Sequence, residues 1–183
     1  MGSSYGFSRS RRGVIRLKID DVERALLLSL ANQMREFVAP EPTDPDADPL
    51  AAMVGIDAVA RVPEDPALAR LLPDAFLDDE EAAGEFRRFT ERSLRETKVA
   101  NATAVAAALE SDGSPLPIDD VDVWLGFLND TRLALGTRLE IAEDNHDELA
   151  ALPEDDPRLG LFHVYDWLTY LQDSLVQLLL LPS

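Results

Sequence analysis

Residues 79–110 read DEEAAGEFRRFTERSLRETKVANATAVAAALE, and they decide the fold. The pattern is helical throughout, about thirty residues long, with acids at the end where a helix dipole favours them and Gly113 just beyond its close. Phe86, Phe89, Ser93, Thr97, Ala100, Ala104 and Ala108 share one side, and most are small enough to let another helix approach closely. This stretch is therefore expected to be the longest element of a helical bundle. Arg87, Arg88, Arg92, Arg95 and Lys98 interleave with Glu91 and Glu96, a spacing that makes i,i+4 ion pairs first and an anion-binding strip second. It is the basic cluster outside the N-terminus, and so the place to seek an acidic partner.

Upstream, Arg12-Gly13 separates Tyr5 and Phe7 from a run in which Ile15, Leu17 and Ile19 alternate with Arg16 and Lys18. Period-two alternation predicts a β-hairpin with one aliphatic face that needs a cover. Asp20, with Glu23 three residues on, caps a helix striped by Val22, Ala25, Leu26, Leu30, Gln33, Met34 and Phe37. Pro40, Pro42, Pro45 and Pro49 end it and open an acidic, Pro-rich loop over 39–65 with Asp44, Asp46 and Asp48. Short helices are expected over 49–54 and 66–72, each with Asp ahead of a helix-starting Pro.

Downstream, Asp119 or Asp120 starts a helix through Trp124, Leu128, Leu135 and Leu139, expected to be central. Asp156-Pro157 opens the last helix, running to about residue 181. There His163, Asp166, Tyr170, Asp173 and Gln177 form a polar face opposite Leu161, Val164, Leu168, Leu171, Leu175 and Leu178. So apolar a helix belongs either at the centre of the bundle or at a homodimer interface. The fold expected is mainly α: four principal helices with an N-terminal β-hairpin, in a single domain over 1–183.

The chain has 183 residues, 46% hydrophobic and 28% charged, which suits one soluble domain able to hold a core without disulfide or metal. It has no cysteine, which excludes thiol nucleophiles, thiolate metal sites and an intrachain redox switch. The net charge is −18, which argues against a duplex-DNA surface. The charge is uneven. Residues 1–18 carry Arg9, Arg11, Arg12, Arg16 and Lys18 with no acid, leaving −23 on the other 165 residues. Such an arm can touch nucleic acid or an anionic membrane, but rest against the acidic body is the favoured reading. Met-Gly-Ser-Ser at 1–4 has the look of an expression remnant, and no signal-peptide pattern follows it, so a cytoplasmic location is expected. Asp166 and Asp173 interrupt the C-terminal apolar run at depths that a membrane would penalise.

No catalytic, metal or cofactor-binding residue is assigned, and no cofactor is expected. His146 and His163 lack zinc spacing, and the acidic run 143–148 lacks the EF-hand glycine. His163 and Asp166, three apart, are placed to hydrogen-bond in a structural role. Arg132 and Arg138, near Asn129 and Asp130 on a mostly apolar helix, require partners. A carboxylate from Asp166 or Asp173, or from another protein, would suit either arginine, and an internal ion pair is the preferred reading.

Four segments carry a resemblance: DPALARLLPDA at 65–75, EFRRFTE at 85–91, WLGFLNDTRLALGTRL at 124–139 and YDWLTYLQ at 165–172. Together they resemble an actinobacterial family of uncharacterised domains, often encoded beside the protease adaptor ClpS. Some of its members are named AosR, an oxidative-stress transcriptional regulator. The resemblance implies a non-enzymatic regulator of stress-linked transcription that works through protein contacts, with a sigma factor as a partner class. The alternative it implies is an adaptor or structural component of ClpS-linked proteolysis. A small-molecule enzyme using paired carboxylates is the remaining, weaker reading. The thiol sensor suggested by the regulator's name does not carry over to a chain without cysteine.

Overall fold

A computed structural model of the protein describes residues 5–40, 62–76, 78–111 and 116–180. Residues 1–4, most of the Pro-rich loop and the expected helix over 49–54 lie outside them.

Strand β1 (Gly6–Arg9) runs antiparallel to β2 (Ile15–Lys18), with Phe7 opposite Leu17. Gly13, at φ +81°, makes the turn that only glycine enters without strain. The alternation works as the sequence predicts: Ile15, Leu17 and Ile19 are buried and Arg16 is exposed. A third strand, β3 (Leu116–Pro117), pairs with β2 and makes it the central strand. Two residues are too few to show period-two alternation, so the sequence does not announce this strand.

Helix α1 (Asp21–Phe37) begins with a full capping box, Asp20 accepting from the Glu23 amide and Glu23 from the Asp20 amide, both at 2.8 Å. Its buried line is Leu27, Ala31 and Met34, whereas Val22, Ala25 and Gln33 of the expected stripe are exposed. Helix α2 (Pro66–Leu71) starts at Pro66, with Asp65 accepting from Ala67 and Leu68. Helix α3 (Glu80–Glu110), capped by Asp79, packs on α1 and on α4 (Val121–Arg138). Helix α4 also meets α2 and the last long helix, which gives it the central place expected of it. A short α5 (His146–Ala150) leads to α6 (Pro157–Leu180).

The main core joins the sheet to all four long helices, with Phe127, Leu128, Leu168, Leu171 and Leu175 almost wholly excluded from water. Each such side chain contributes roughly 1.5–3 kcal/mol by burial. The chain is mainly α, with four long helices and an N-terminal hairpin. Among the described residues, no helix is long and apolar enough to cross a membrane.

The hairpin is fastened to α6. The Phe7 amide donates to Ser174 Oγ at 3.3 Å, Tyr170 donates to the Tyr5 carbonyl at 2.7 Å, and Arg9 donates to the Leu178 carbonyl near the helix end. Gly6, at φ +92°, lies where a Cβ would meet the Tyr170 ring at 3.1 Å.

Candidate protein-contact surface

The basic cluster of α3 separates into an inner and an outer set. Arg87 is only 5% exposed and donates to Asp74 at 2.6 Å, Glu91 at 2.7 Å and the Leu72 carbonyl at 3.0 Å. Burial alone would weaken its hold on the proton. The hydrogen bonds and charges of Glu91 and Asp74 outweigh that, and the guanidinium sits above its ordinary value. Arg95, also buried, holds the other oxygen of Glu91 at 2.8 Å and reaches the Val38 and Ala39 carbonyls just after α1. One carboxylate thus bridges two buried arginines, each one helical turn away. Lys98 completes the inner set, 2.6 Å from Asp130 of α4. Burial lifts the Asp130 carboxyl above the ordinary range against the opposing pull of Lys98. In the outer set, Arg88 pairs with Glu85 at 2.8 Å and Arg92 is half-buried.

Arg132 reaches the expected helix but not the expected chemistry. Its guanidinium donates to Thr169 Oγ1 and Gln172 Oε1, both at 2.9 Å, and to the Tyr165 hydroxyl at 3.4 Å. Asp166 and Asp173 lie one residue along from those partners, and the 100° step between neighbours turns them off the α4 contact. Arg138 pairs with Asp65 at 3.2 Å and lies over the Phe37 ring at 5.4 Å. The anticipated His163–Asp166 bond is replaced by one from α5, with His146 Nε2 3.0 Å from Asp166 Oδ1. His163 and Asp173 are exposed, and Tyr170 serves the hairpin.

The side of α3 expected to pack inward faces out. Phe86 and Phe89 are 48% and 55% exposed, and Ser93, Thr97, Ala100 and Ala104 are exposed with them. Phe76, which no sequence pattern singles out, stands edge-on to Phe86 at 6.0 Å. The buried side instead carries Ala83, Arg87, Arg95, Ala102, Val105, Ala106 and Leu109. The Arg87–Glu91–Arg95 spacing is the sequence signal for this side, because an acid placed one turn from each of two arginines lets both enter the fold with a partner.

A second stretch is rich in exposed acids, with the exposed Arg158 beside it paired to Asp156 at 2.7 Å. Glu143, Asp144, Asp147, Glu148, Glu154 and Asp155 are all exposed in the stretch joining α4 to α6. Two clefts of about 460 Å³ also occur, one bordered by Arg70, Arg132, Glu140 and Tyr165, the other by Leu30, Met34, Phe37 and Arg138. Among the described residues, Glu140 is the only acid bordering the first and Glu36 the only one bordering the second. Among the described residues, no group of three or more His, Asp or Glu is placed to hold a metal ion.

These features define a small helical-bundle domain whose distinctive surfaces are an exposed aromatic helix face and an acidic edge. The chain belongs to the DUF2017 family, described as a domain of unknown function, which matches residues 4–179. The oxidative stress regulators AosR of Mycobacterium tuberculosis (strain ATCC 25618 / H37Rv) and Mycobacterium bovis are similar to it. Each is 36% identical over 174 residues, covering 86% of this chain and 78% of the relative. No solved structure matches the chain.

Proposed function

We propose that this chain regulates stress-linked transcription without catalysing a reaction, by docking its acidic edge on the basic surface of a transcription protein, with a sigma factor as the partner class. The observation that carries this reading is where the bases go. Arg87, Arg95 and Lys98 are spent inside the fold against their own carboxylates, while six acids between residues 143 and 155 face water. A surface of that sign steers a basic partner into encounter and suppresses acidic competitors. The names of the relatives supply the biological setting. With no cysteine in its 183 residues, an oxidative signal would reach this protein through its partner rather than through a thiol of its own.

The test titrates purified chain against purified sigma factors at two salt concentrations. Binding should weaken as salt rises, and Asp147→Lys/Glu148→Lys/Glu154→Lys should weaken it at least tenfold, on the order of 1.4 kcal/mol. Absence of binding to every sigma factor, or binding indifferent to both changes, sinks the proposal. Capture of ClpS-linked machinery in place of a sigma factor would favour the adaptor reading.

A further inference from the structure

Arg70 and Arg132 border one cleft of about 460 Å³, where α2 and the C-terminal half of α4 come together with α6. We propose that this cleft binds a small organic acid, with its single carboxylate held by the two guanidiniums and its apolar body lying on Leu133, Ile141 and Tyr165.

Spare donor capacity points to an anion. A guanidinium carries five N–H donors, and Arg132 gives three of them to Thr169, Gln172 and Tyr165. All three acceptors are neutral, so the charge of Arg132 meets no carboxylate among the described residues, and two N–H groups remain for one. Arg70 stands exposed on the last turn of α2 and makes no ion pair with a described residue.

The donors are also held in place before any ligand arrives. Arg132 is braced from α6 and lies over the Tyr165 ring, 5.3 Å from its centre. Gly136 lies where a Cβ would meet that ring at 3.3 Å, so the missing side chain lets Tyr165 rest against α4 and wall the cleft. Donors fixed in this way lose little freedom on binding. A cleft of this volume is of the size that takes a small molecule.

Charge selects the class of anion. Two arginines against Glu140 leave the cleft at +1 on a chain of −18, which matches a carboxylate and disfavours a doubly charged phosphate. Glu140 is fixed at this rim by the close of α4, where it takes φ +53°. Its amide donates to the Thr137 carbonyl at 3.2 Å and the Ile141 amide to the Gly136 carbonyl at 2.9 Å. Those bonds occupy carbonyls that would otherwise repel an anion at this helix end.

None of these residues belongs to the acidic stretch 143–155, so this proposal and the sigma-factor reading can fail independently. Titration of the full chain with phenylacetate, followed by NMR, should shift the amides around Arg132, Gly136 and Tyr165 saturably. The uncharged phenylacetamide should bind at least about tenfold more weakly. Arg132→Gln should raise the phenylacetate dissociation constant at least about fivefold, as should Arg70→Gln, whose exposed position leaves the fold intact. Arg16→Gln, the same charge change on an exposed residue of the hairpin, should leave binding unchanged. Glu140→Gln takes the cleft from +1 to +2 and should tighten binding about threefold. Absence of saturable shifts at the cleft overturns the proposal, as does binding indifferent to both Arg70→Gln and Arg132→Gln. Tighter binding of phenyl phosphate than of phenylacetate would overturn the assignment to a carboxylate.

Discussion

Lys98 and Asp130 meet 2.6 Å apart with 13% and 8% of their side chains exposed, so each depends on the other for its charge. Breaking such a pair from one side leaves an uncompensated ion in the core, which costs about 3–5 kcal/mol. Lys98→Met should therefore destabilise the protein by that amount at neutral pH. The direction of the pH dependence follows from burial, which already raises the Asp130 pKa against the pull of Lys98. A carboxyl whose folded pKa exceeds its unfolded one stabilises fully below the ordinary carboxylate range and loses that contribution as pH rises through the raised value. Removing Lys98 raises the value further, so the deficit of the variant should shrink as pH falls from neutral toward the carboxylate range. Urea unfolding at a series of pH values measures it, and a deficit that grows on acidification would contradict the account. The sequence indicated that Asp130 and Arg132 needed partners, because polar groups on an apolar helix do. It could not say that Arg132 would find three neutral oxygens, since that depends on the rotation of α6 by a single residue.

Two ion pairs on α3 separate by burial in the same way. Glu91 lies between Arg87 and Arg95 at 13% exposure, whereas Glu85 meets Arg88 at 59%. Glu91→Gln should cost about 3 kcal/mol or more, because it strips the shared charge from two buried guanidiniums. Glu85→Gln should stay within about 0.5 kcal/mol, as solvent-screened pairs do. Thermal or urea unfolding of the two variants side by side tests the contrast, and equal losses would refute the inner and outer division of the cluster. That division also explains which parts of the elements were legible. Caps at Asp20 and Asp65 are local and readable from one residue and its neighbours, whereas the sequence places the start of α3 only at about Asp79 and leaves Asp119 and Asp120 as alternatives for α4, where Asp120 is the cap. The inward faces of α1 and α3 were not legible. Hydrophobic patterning assigns burial by apolarity, and on α3 the buried side sets Arg87 and Arg95 in line with Ala83, Ala102, Val105, Ala106 and Leu109 while the Phe86 and Phe89 side is left to solvent.

At the scale of the whole molecule, the division between a basic hairpin and an acidic body was visible in the sequence, and the structure ties the two together through Arg9 and the last turns of α6. What remains is a folded body whose −18 is a standing repulsion that the expanded unfolded chain relieves. Raising the ionic strength from 0.01 M to 0.15 M shortens the screening length from about 30 Å to about 8 Å. Repulsion between acids spread across the surface is then largely removed, while the pairs Arg87–Glu91, Arg95–Glu91 and Lys98–Asp130, shielded from solvent, change little. Salt should therefore stabilise this protein. If screening recovers on the order of 1 kcal/mol, Tm should rise by about 2–4 °C for a chain of this length. Calorimetry at low protein concentration isolates the effect. A Tm that falls with added salt would mean that exposed ion pairs outweigh the net repulsion, contrary to a structure in which the strongest pairs lie inside.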